Sequence, residues 1–427
     1  MGQKVSNNIC CSTRDKNERG GLRAAYPQNS QFWYAEVELR LDDPRSLSLA
    51  PLWSNEVPVS KRLAVAGSHD VHIYSIREDQ LQLDLPRLRL EHKWAVPETA
   101  GSVTGLLFTE ETNSRSLAIA VSLGRKNCVR IWPLDPSPLR EGVEAKIWNL
   151  HEGFLVSLDD HKFSVVRMVV SPQYLLSVDT SGVCSVWQKS RNFQRKATQT
   201  LHKGGVVDLV ADRLFAYSAG MDDRSIAVWS LPDLTLIQTV GVEIPKAMLP
   251  DMPQSDATNA SSSSSPSTFV RVTGLRRPLS RWAGAQGSSR QSSHPKGTLF
   301  ISGLLTSEKA PAETERECAG VLMEWTLGAE PICQCAQLAH ESPIASLMYG
   351  PEDNGPVITA DAKGQFCVWD TVPRLNCSQQ VRVVGNAFED CPLAVAMEPQ
   401  HGLYSTIGDR RLFIWRRRQR ENIDEPM

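Results

Sequence analysis

Residues 202–229, HKGGVVDLVADRLFAYSAGMDDRSIAVW, decide the fold. A histidine, His202, stands ahead of the apolar run VVDLV. A second run, FAYSAG, carries small residues, the pair Asp222–Asp223 follows in a turn, and IAVW closes the unit on Trp229. Apolar and other residues alternate over four or five positions, which is the period of a half-buried strand and not of a helix.

Six more segments end in the same way. They are VHIYSI at Tyr74, VRIWPL at Trp132, CSVWQK at Trp187, LMEWTL at Trp325, FCVWDT at Trp369 and LFIWRR at Trp415. Ahead of each lies a strand with small residues: LAVAGS (63–68), LAIAVS (117–122), LLSVDT (175–180), LFISGL (299–304), VITADA (357–362) and LYSTIG (403–408). Turns with Asp or Gly join the two strands at 179–182, 361–364 and Asp409, and His161 and His340 open two further units. A supersecondary unit recurring every 40–60 residues is the mark of a repeat architecture.

Histidine early, Asp in the turn and Trp late resemble the WD-repeat family. The resemblance covers roughly residues 32–418 and implies an all-β, seven-bladed β-propeller, whose blades bury one another around a ring. It also implies a hydrogen-bonded set of His, a strand Ser or Thr, Asp and Trp in each blade. The fourth unit matches most fully, with His202, Ser218, Asp223 and Trp229. The third and sixth (His161, Trp187; His340, Asp361, Trp369) carry Asp179 and Asp361 two residues early, a departure that bears on whether the carboxylate reaches its histidine. The seventh keeps Asp409 and Trp415 without a histidine. The 96 residues from Trp229 to Trp325 leave room for an eighth blade, but most of the excess is a stretch that does not suit packed strands.

That stretch, about 245–296, is rich in Ser and Pro, with five serines at 261–265. It buries too little apolar surface to offset its ordering entropy and is expected to be disordered. Within it FVRVTGL (269–275) is expected to form the inner strand of the fifth blade. GLRRP (274–278) resembles in part the two-arginine motif of phosphoinositide-binding propellers but lacks its Phe and Gly, so a solvated basic loop is expected. The last unit ends on its third strand, which would leave an unpaired edge. FWYAEVELRL (32–41) is expected to complete that blade as its outermost strand and close the ring.

The opening MGQKVSNNICC fits the N-myristoylation pattern, with Gly2 as acceptor and Ser6 at the required position. One myristoyl chain binds a bilayer with only about 10⁴ M⁻¹, so a second signal is needed. Palmitoylation of Cys10 or Cys11 would supply it, helped by Lys4, Arg14 and Lys16. A plain disordered tail is the alternative for residues 1–31. In the C-terminal tail, 419–427, and just before it, Arg416, Arg417, Arg418 and Arg420 suit a membrane contact, a solvated charge run or a nuclear signal.

Formal net charge is −2, which points away from nucleic acid. No run of about 18 apolar residues spans a membrane. Ten cysteines lack the paired spacing of a zinc site and suit reduced, cytosolic thiols. Neither a metal, a cofactor nor catalytic residues are expected, since no nucleophile elbow, metalloprotease helix or phosphate loop is present. The expected function is a non-enzymatic protein-interaction scaffold, lipid-anchored on the cytosolic face of a membrane. A propeller enzyme with a central-channel site is the alternative. A ubiquitin-ligase substrate receptor would expect an Arg two residues after Trp369–Asp370, where Val372 stands.

Overall fold

In a computed structural model of the chain, the described residues are 3–6, 23–25, 32–38, 46–49, 62–77, 87–96, 98–111, 116–134, 146–149, 156–221, 223–244, 248, 268–277, 296–306, 319–349, 355–361, 365–384, 394–398, 403–408 and 411–417. Among them the strands assemble into seven sheets of four or five strands. Each sheet has four strands side by side in meander order, except that the fourth place is filled in the second sheet after a detour of the chain and in the seventh by a strand from the N-terminal side. Among the described residues of the Trp229–Trp325 interval, every strand belongs to the fourth or fifth of these sheets.

Two compact units divide the chain: residues 1–160, 364–366 and 379–427, and residues 161–363 and 367–378. The first unit holds the first, second and seventh sheets. In the first sheet Ser46–Leu49, Arg62–Ala66, Asp70–Arg77 and Arg87–Ala95 follow one another, and Lys146–Asn149 adds a fifth strand parallel to Arg87–Ala95. In the second sheet Val103–Glu111, Ser116–Leu123 and Cys128–Pro133 are completed by Val156–Leu158. The segment after Trp132 thus visits the neighbouring sheet before it finishes its own. Trp94 and Trp132 pack between these two sheets with ring centroids 5.5 Å apart.

The seventh sheet draws on both ends of the chain. Ala394–Glu398, Leu403–Gly408 and Arg411–Arg417 form its meander, and Phe32–Glu38 pairs antiparallel with the last, from Phe32 opposite Arg417 to Glu38 opposite Arg411. The expected partner strand is therefore there over 32–38, with 39–41 outside the described residues. It is not outermost. Gln3–Ser6 lies beyond it, with Gln3 opposite Val37 and Ser6 opposite Tyr34. A second piece of the expected flexible tail, Arg23–Ala25, pairs with Asn376–Val384 of the sixth sheet. An open strand edge offers unpaired N–H and C=O groups, and the tail supplies their partners at both places.

The second unit stacks the third sheet (Val165–Val170, Tyr174–Asp179, Val183–Gln188, Gln194–Thr200), the fourth (Val206–Ala211, Phe215–Gly220, Ser225–Ser230, Thr235–Gly241) and the fifth (Thr268–Arg276, Gly297–Thr306, Gly320–Leu327, Ile332–His340). The first two strands of the sixth sheet, Ile344–Tyr349 and Val357–Asp361, follow. Thr268–Arg276 is the first strand of the fifth-sheet meander, as expected from FVRVTGL, with Glu243–Ile244 paired on its far side.

The expectation of half-buried strands needs correction. Tyr174–Asp179 and Phe215–Gly220 are buried at every position. The third and fifth sheets cover the two faces of Phe215–Gly220, so alternation in the sequence distinguishes two kinds of buried side. One packs apolar groups, and the other carries Ser177 or Ser218. Three late tryptophans in the unit lean on the preceding sheet: Trp229 on the third, Trp325 on the fourth and Trp369 on the fifth. Exposure returns on the fourth strands, where Gln194–Thr200 is almost wholly in solvent.

Candidate interaction surface

At one end of the fourth sheet, His202 Nδ1 lies 2.5 Å from Asp223 Oδ2 and Nε2 lies 2.8 Å from Ser218 Oγ. Trp229 Nε1 donates to the same Ser218 oxygen at 2.8 Å. The carboxylate only accepts, so Nδ1 carries the proton and Nε2 accepts from the Ser218 hydroxyl. All four side chains expected from the sequence meet. A Cβ on Gly220 would stand 2.5 Å from Asp223 Oδ2 and 2.6 Å from His202 Nδ1, so the His–Asp contact requires glycine at that position.

The third and sixth sheets reach similar ends from a different aspartate. In the third, His161 Nε2 is 2.7 Å from Ser177 Oγ, which also accepts from Trp187 Nε1 at 2.8 Å. Asp179 Oδ2 lies 3.3 Å from His161 Nδ1, while its other oxygen accepts from the amides of Ser181 and Val183 and from the Ser181 hydroxyl. In the sixth, Thr359 Oγ1 joins His340 Nε2 (2.7 Å) to Trp369 Nε1 (2.8 Å), and Ser342 donates to Asp361. His340 Nδ1 stands 3.5 Å from that carboxylate, an ion-pair distance longer than a good hydrogen bond. From the buried end of the second strand Asp179 thus still reaches its histidine, whereas Asp361 stands near His340 Nδ1 without a hydrogen bond to it and is engaged by Ser342 instead. Asp179 and Asp361 are 1 % exposed, whereas the Asp223 side chain is half-exposed. Ser177 and Thr359 are partners that the sequence reading did not single out, although both occupy the register place of Ser218.

The first and fifth sheets do not assemble the set among the described residues. Tyr74 takes the tryptophan place in the first sheet, opposite Leu63, and its hydroxyl meets His72 Nδ1 at 3.1 Å. Burial, then the nearby Lys93 charge, hold the His72 pKa down at about 4. In the fifth sheet Ile301 stands where Ser218 would be, and the Trp325 indole N–H is buried without a hydrogen-bond partner among the described residues. Asp409 lies outside the described residues, and of Trp415 only the strand position, opposite Tyr404 and Tyr34, is described.

The GLRRP motif is not a solvated loop. Asp208 accepts from the Leu275 amide at 2.9 Å and from Arg276 Nη1 at 2.8 Å. Arg277 sits 3.0 Å from Asp212, with its guanidinium 4.8 Å from the Tyr217 ring centre, and the Tyr217 hydroxyl donates to the same carboxylate. Both arginines tie the fifth sheet to the fourth, so neither presents an open site for a lipid phosphate. Sequence alone hides this because the two aspartates lie more than 60 residues away. Further buried charge is matched in the first sheet, where Arg62 and Glu91 pair at 2.6 Å.

Gly2, Cys10, Cys11, Arg14, Lys16, Arg418 and Arg420 lie outside the described residues. Lys4 falls in Gln3–Ser6, and Arg416 and Arg417 end the strand that pairs with Phe32–Glu38. Among the described residues no three His, Cys, Asp or Glu are placed to hold a metal ion, and no helix is long and apolar enough to cross a membrane. The described histidines at the turn ends are occupied in blade hydrogen bonds, an arrangement that positions loops.

No family model and no curated protein matches the sequence. Solved structures do. A chain of the mitotic checkpoint complex is similar at 13 % identity and TM-score 0.56, over 95 % of this chain and 99 % of that one. The WD40 domain of Toxoplasma gondii coronin is similar at 11 % and 0.56, over 94 % and 90 %. The WD40 β-propeller domain of Doa1 is similar at 13 % and 0.51, over 90 % and 96 %. At such identities the likeness speaks for the fold alone.

Proposed function

With a WD40-type propeller fold as the premise, we propose that this chain is a non-enzymatic protein-interaction scaffold, held on the cytosolic face of a membrane by acylation of Gly2 and of Cys10 or Cys11. The seven sheets are its blades, and the pairing of Phe32–Glu38 with Arg411–Arg417 closes the ring. One observation carries the scaffold reading. The His, Ser and Asp side chains that would otherwise suggest catalysis are engaged in holding turns, which leaves rigid loop ends as the surface on offer. A similar chain belongs to a multiprotein checkpoint assembly, in keeping with a fold used for docking.

The membrane part rests on MGQKVSNNICC. Phe32 pairs opposite Arg417, so Phe32–Glu38 begins at the end of the seventh sheet where Arg411–Arg417 stops. Gln3 pairs opposite Val37, itself opposite Leu412, four residues or about 14 Å from Arg416 along the strand. Joint insertion of the Gly2 acyl chain beside Arg416 therefore requires Gln3–Ser6 to leave the sheet edge, at the cost of one short outer strand. Cys10 and Cys11 follow Ser6, which pairs toward the Arg416 end.

Cell fractionation of wild type, Gly2→Ala and the double Cys10→Ser, Cys11→Ser variant tests the anchor. Gly2→Ala is expected in the soluble fraction, and the double variant is expected to bind membranes only weakly. Unchanged membrane recovery of Gly2→Ala overturns the tethering.

A further inference from the structure

Six cysteines fall among the described residues, and burial sorts them. Cys128, Cys184, Cys333 and Cys367 are buried, Cys335 is half-buried and Cys377 is exposed. Burial pushes the Cys128, Cys184 and Cys333 thiols up, which keeps them protonated and poor nucleophiles. Cys333 donates to the Cys335 carbonyl at 3.6 Å, and Cys335 Sγ accepts from Gln337 Nε2 at 3.5 Å. These two neighbours on one strand therefore turn to other partners.

Cys367 and Cys377 face each other. Cys367 lies on the third strand of the sixth sheet, Gln365–Asp370, and Cys377 on the adjoining fourth strand, Asn376–Val384. The Ser378 hydroxyl donates to Val368 O at 3.1 Å, which sets the start of the fourth strand alongside the middle of the third. The fifth sheet shows what this spacing does. Met323 stands two residues before Trp325 and Cys333 eight after it, and the two side chains share one buried cluster. Cys367 and Cys377 hold the same places relative to Trp369.

At those places the two thiols are in hydrogen-bond contact. That contact, with burial behind it, pushes the Cys367 thiol up, so Cys367 keeps its proton. Cys367 is 1 % exposed, and Cys377 is the sulfur of the pair that a solute can reach. Facing residues on neighbouring strands have Cβ atoms about 4.5–5.5 Å apart, and a disulfide needs about 3.5–4.5 Å. Sulfurs already in contact close that gap with a small side-chain rotation.

We propose that Cys367 and Cys377 form a reversible disulfide across the third and fourth strands of the sixth sheet when a peroxide oxidises the exposed thiol. Cys377, having lost its proton to solvent, attacks one oxygen of hydrogen peroxide. The S–O bond forms, the O–O bond breaks, and hydroxide leaves to be protonated as water, with Cys377 left as a sulfenic acid. Cys367 then attacks Cys377 Sγ. The S–S bond forms, the S–O bond breaks, and the departing hydroxide takes the Cys367 proton as a second water. Two thiols lose two electrons and one peroxide gains them. The bond encloses the turn at 371–375, whose Val372 is 57 % exposed. It also staples down the strand on whose far edge Arg23–Ala25 pairs. A dithiol reductant reverses it by exchange at the exposed sulfur.

The full chain treated with hydrogen peroxide, in the presence of dimedone to trap sulfenic acid, is blocked with N-ethylmaleimide and digested with trypsin. The peroxide dose is one that oxidises free N-acetylcysteine. Cys367 and Cys377 fall on separate tryptic peptides, 364–374 and 375–382. Mass spectrometry is expected to find these two joined, and separate again after dithiothreitol. Cys367→Ala is expected to leave Cys377 as the dimedone adduct. Cys377→Ser, at an exposed position, is expected to lower oxidation of Cys367 at least ten-fold. A dimedone adduct on Cys377 of the wild type beside a maleimide-labelled Cys367 overturns the pairing, as do two unoxidised thiols. Equal oxidation of Cys367 in the wild type and in Cys377→Ser overturns it as well.

Discussion

Replacing Trp229 and Trp325 by phenylalanine removes the same atoms from equivalent places in adjacent sheets of one unit. Both rings are 5 % exposed and both face the preceding sheet. The loss of ring volume and apolar area is therefore comparable at the two sites and cancels in the difference. The polar terms do not cancel. Trp229→Phe loses the 2.8 Å bond to Ser218 Oγ, whose hydroxyl keeps His202 as its other partner, a net cost of about 1 kcal/mol. Trp325→Phe removes a buried N–H without a partner, since Ile301 stands at the register place of Ser218, and recovers about 1–3 kcal/mol of desolvation. Trp325→Phe should thus be the more stable variant by roughly 2–4 kcal/mol. Urea unfolding followed by circular dichroism reads this as a difference in midpoint at unchanged slope. Equal destabilisation of the two variants would refute the reasoning, since it would mean that the Trp325 indole has a partner such as a buried water.

Arg277→Ala should cost about 1–3 kcal/mol, because it leaves Asp212 without its cation and uncovers Tyr217; a change within about 0.5 kcal/mol, as for a solvated loop, would contradict the ion pair. His72 has its pKa lowered from 6.5 to about 4 in the folded chain, so the unfolded chain binds the extra proton between those values. Stability from this group is present above pH 6.5 and is lost as pH falls toward 4, by up to about 3 kcal/mol. His72→Phe should flatten that acid limb, and an unchanged difference in stability between pH 7 and 4.5 would count against it. Charge reversal of Arg416, Arg417 and Arg418 to Glu should weaken binding of the acylated protein to anionic liposomes most at low salt, and untouched binding at low salt would reject a bilayer-facing run.

Chain-local chemistry made most of the architecture legible. A strand ending in Trp, a turn Asp and a leading His are read from neighbours within about 30 residues, which is why the His202, Ser218, Asp223 and Trp229 set followed from one unit. The partner strand of the last sheet was also foreseeable, because Arg411–Arg417 leaves an edge and Phe32–Glu38 is the β-prone run with nothing else to pair. Contacts between sheets were a different matter. Whether Asp179 reaches His161 depends on a turn that folds its carboxylate inward. Arg276 and Arg277 looked solvated until the stacking of the fourth sheet on the fifth delivered Asp208 and Asp212. Local pattern encodes hydrogen-bond spacing along a strand, but ion pairs join residues far apart in the chain, and only sheet stacking selects which ones meet.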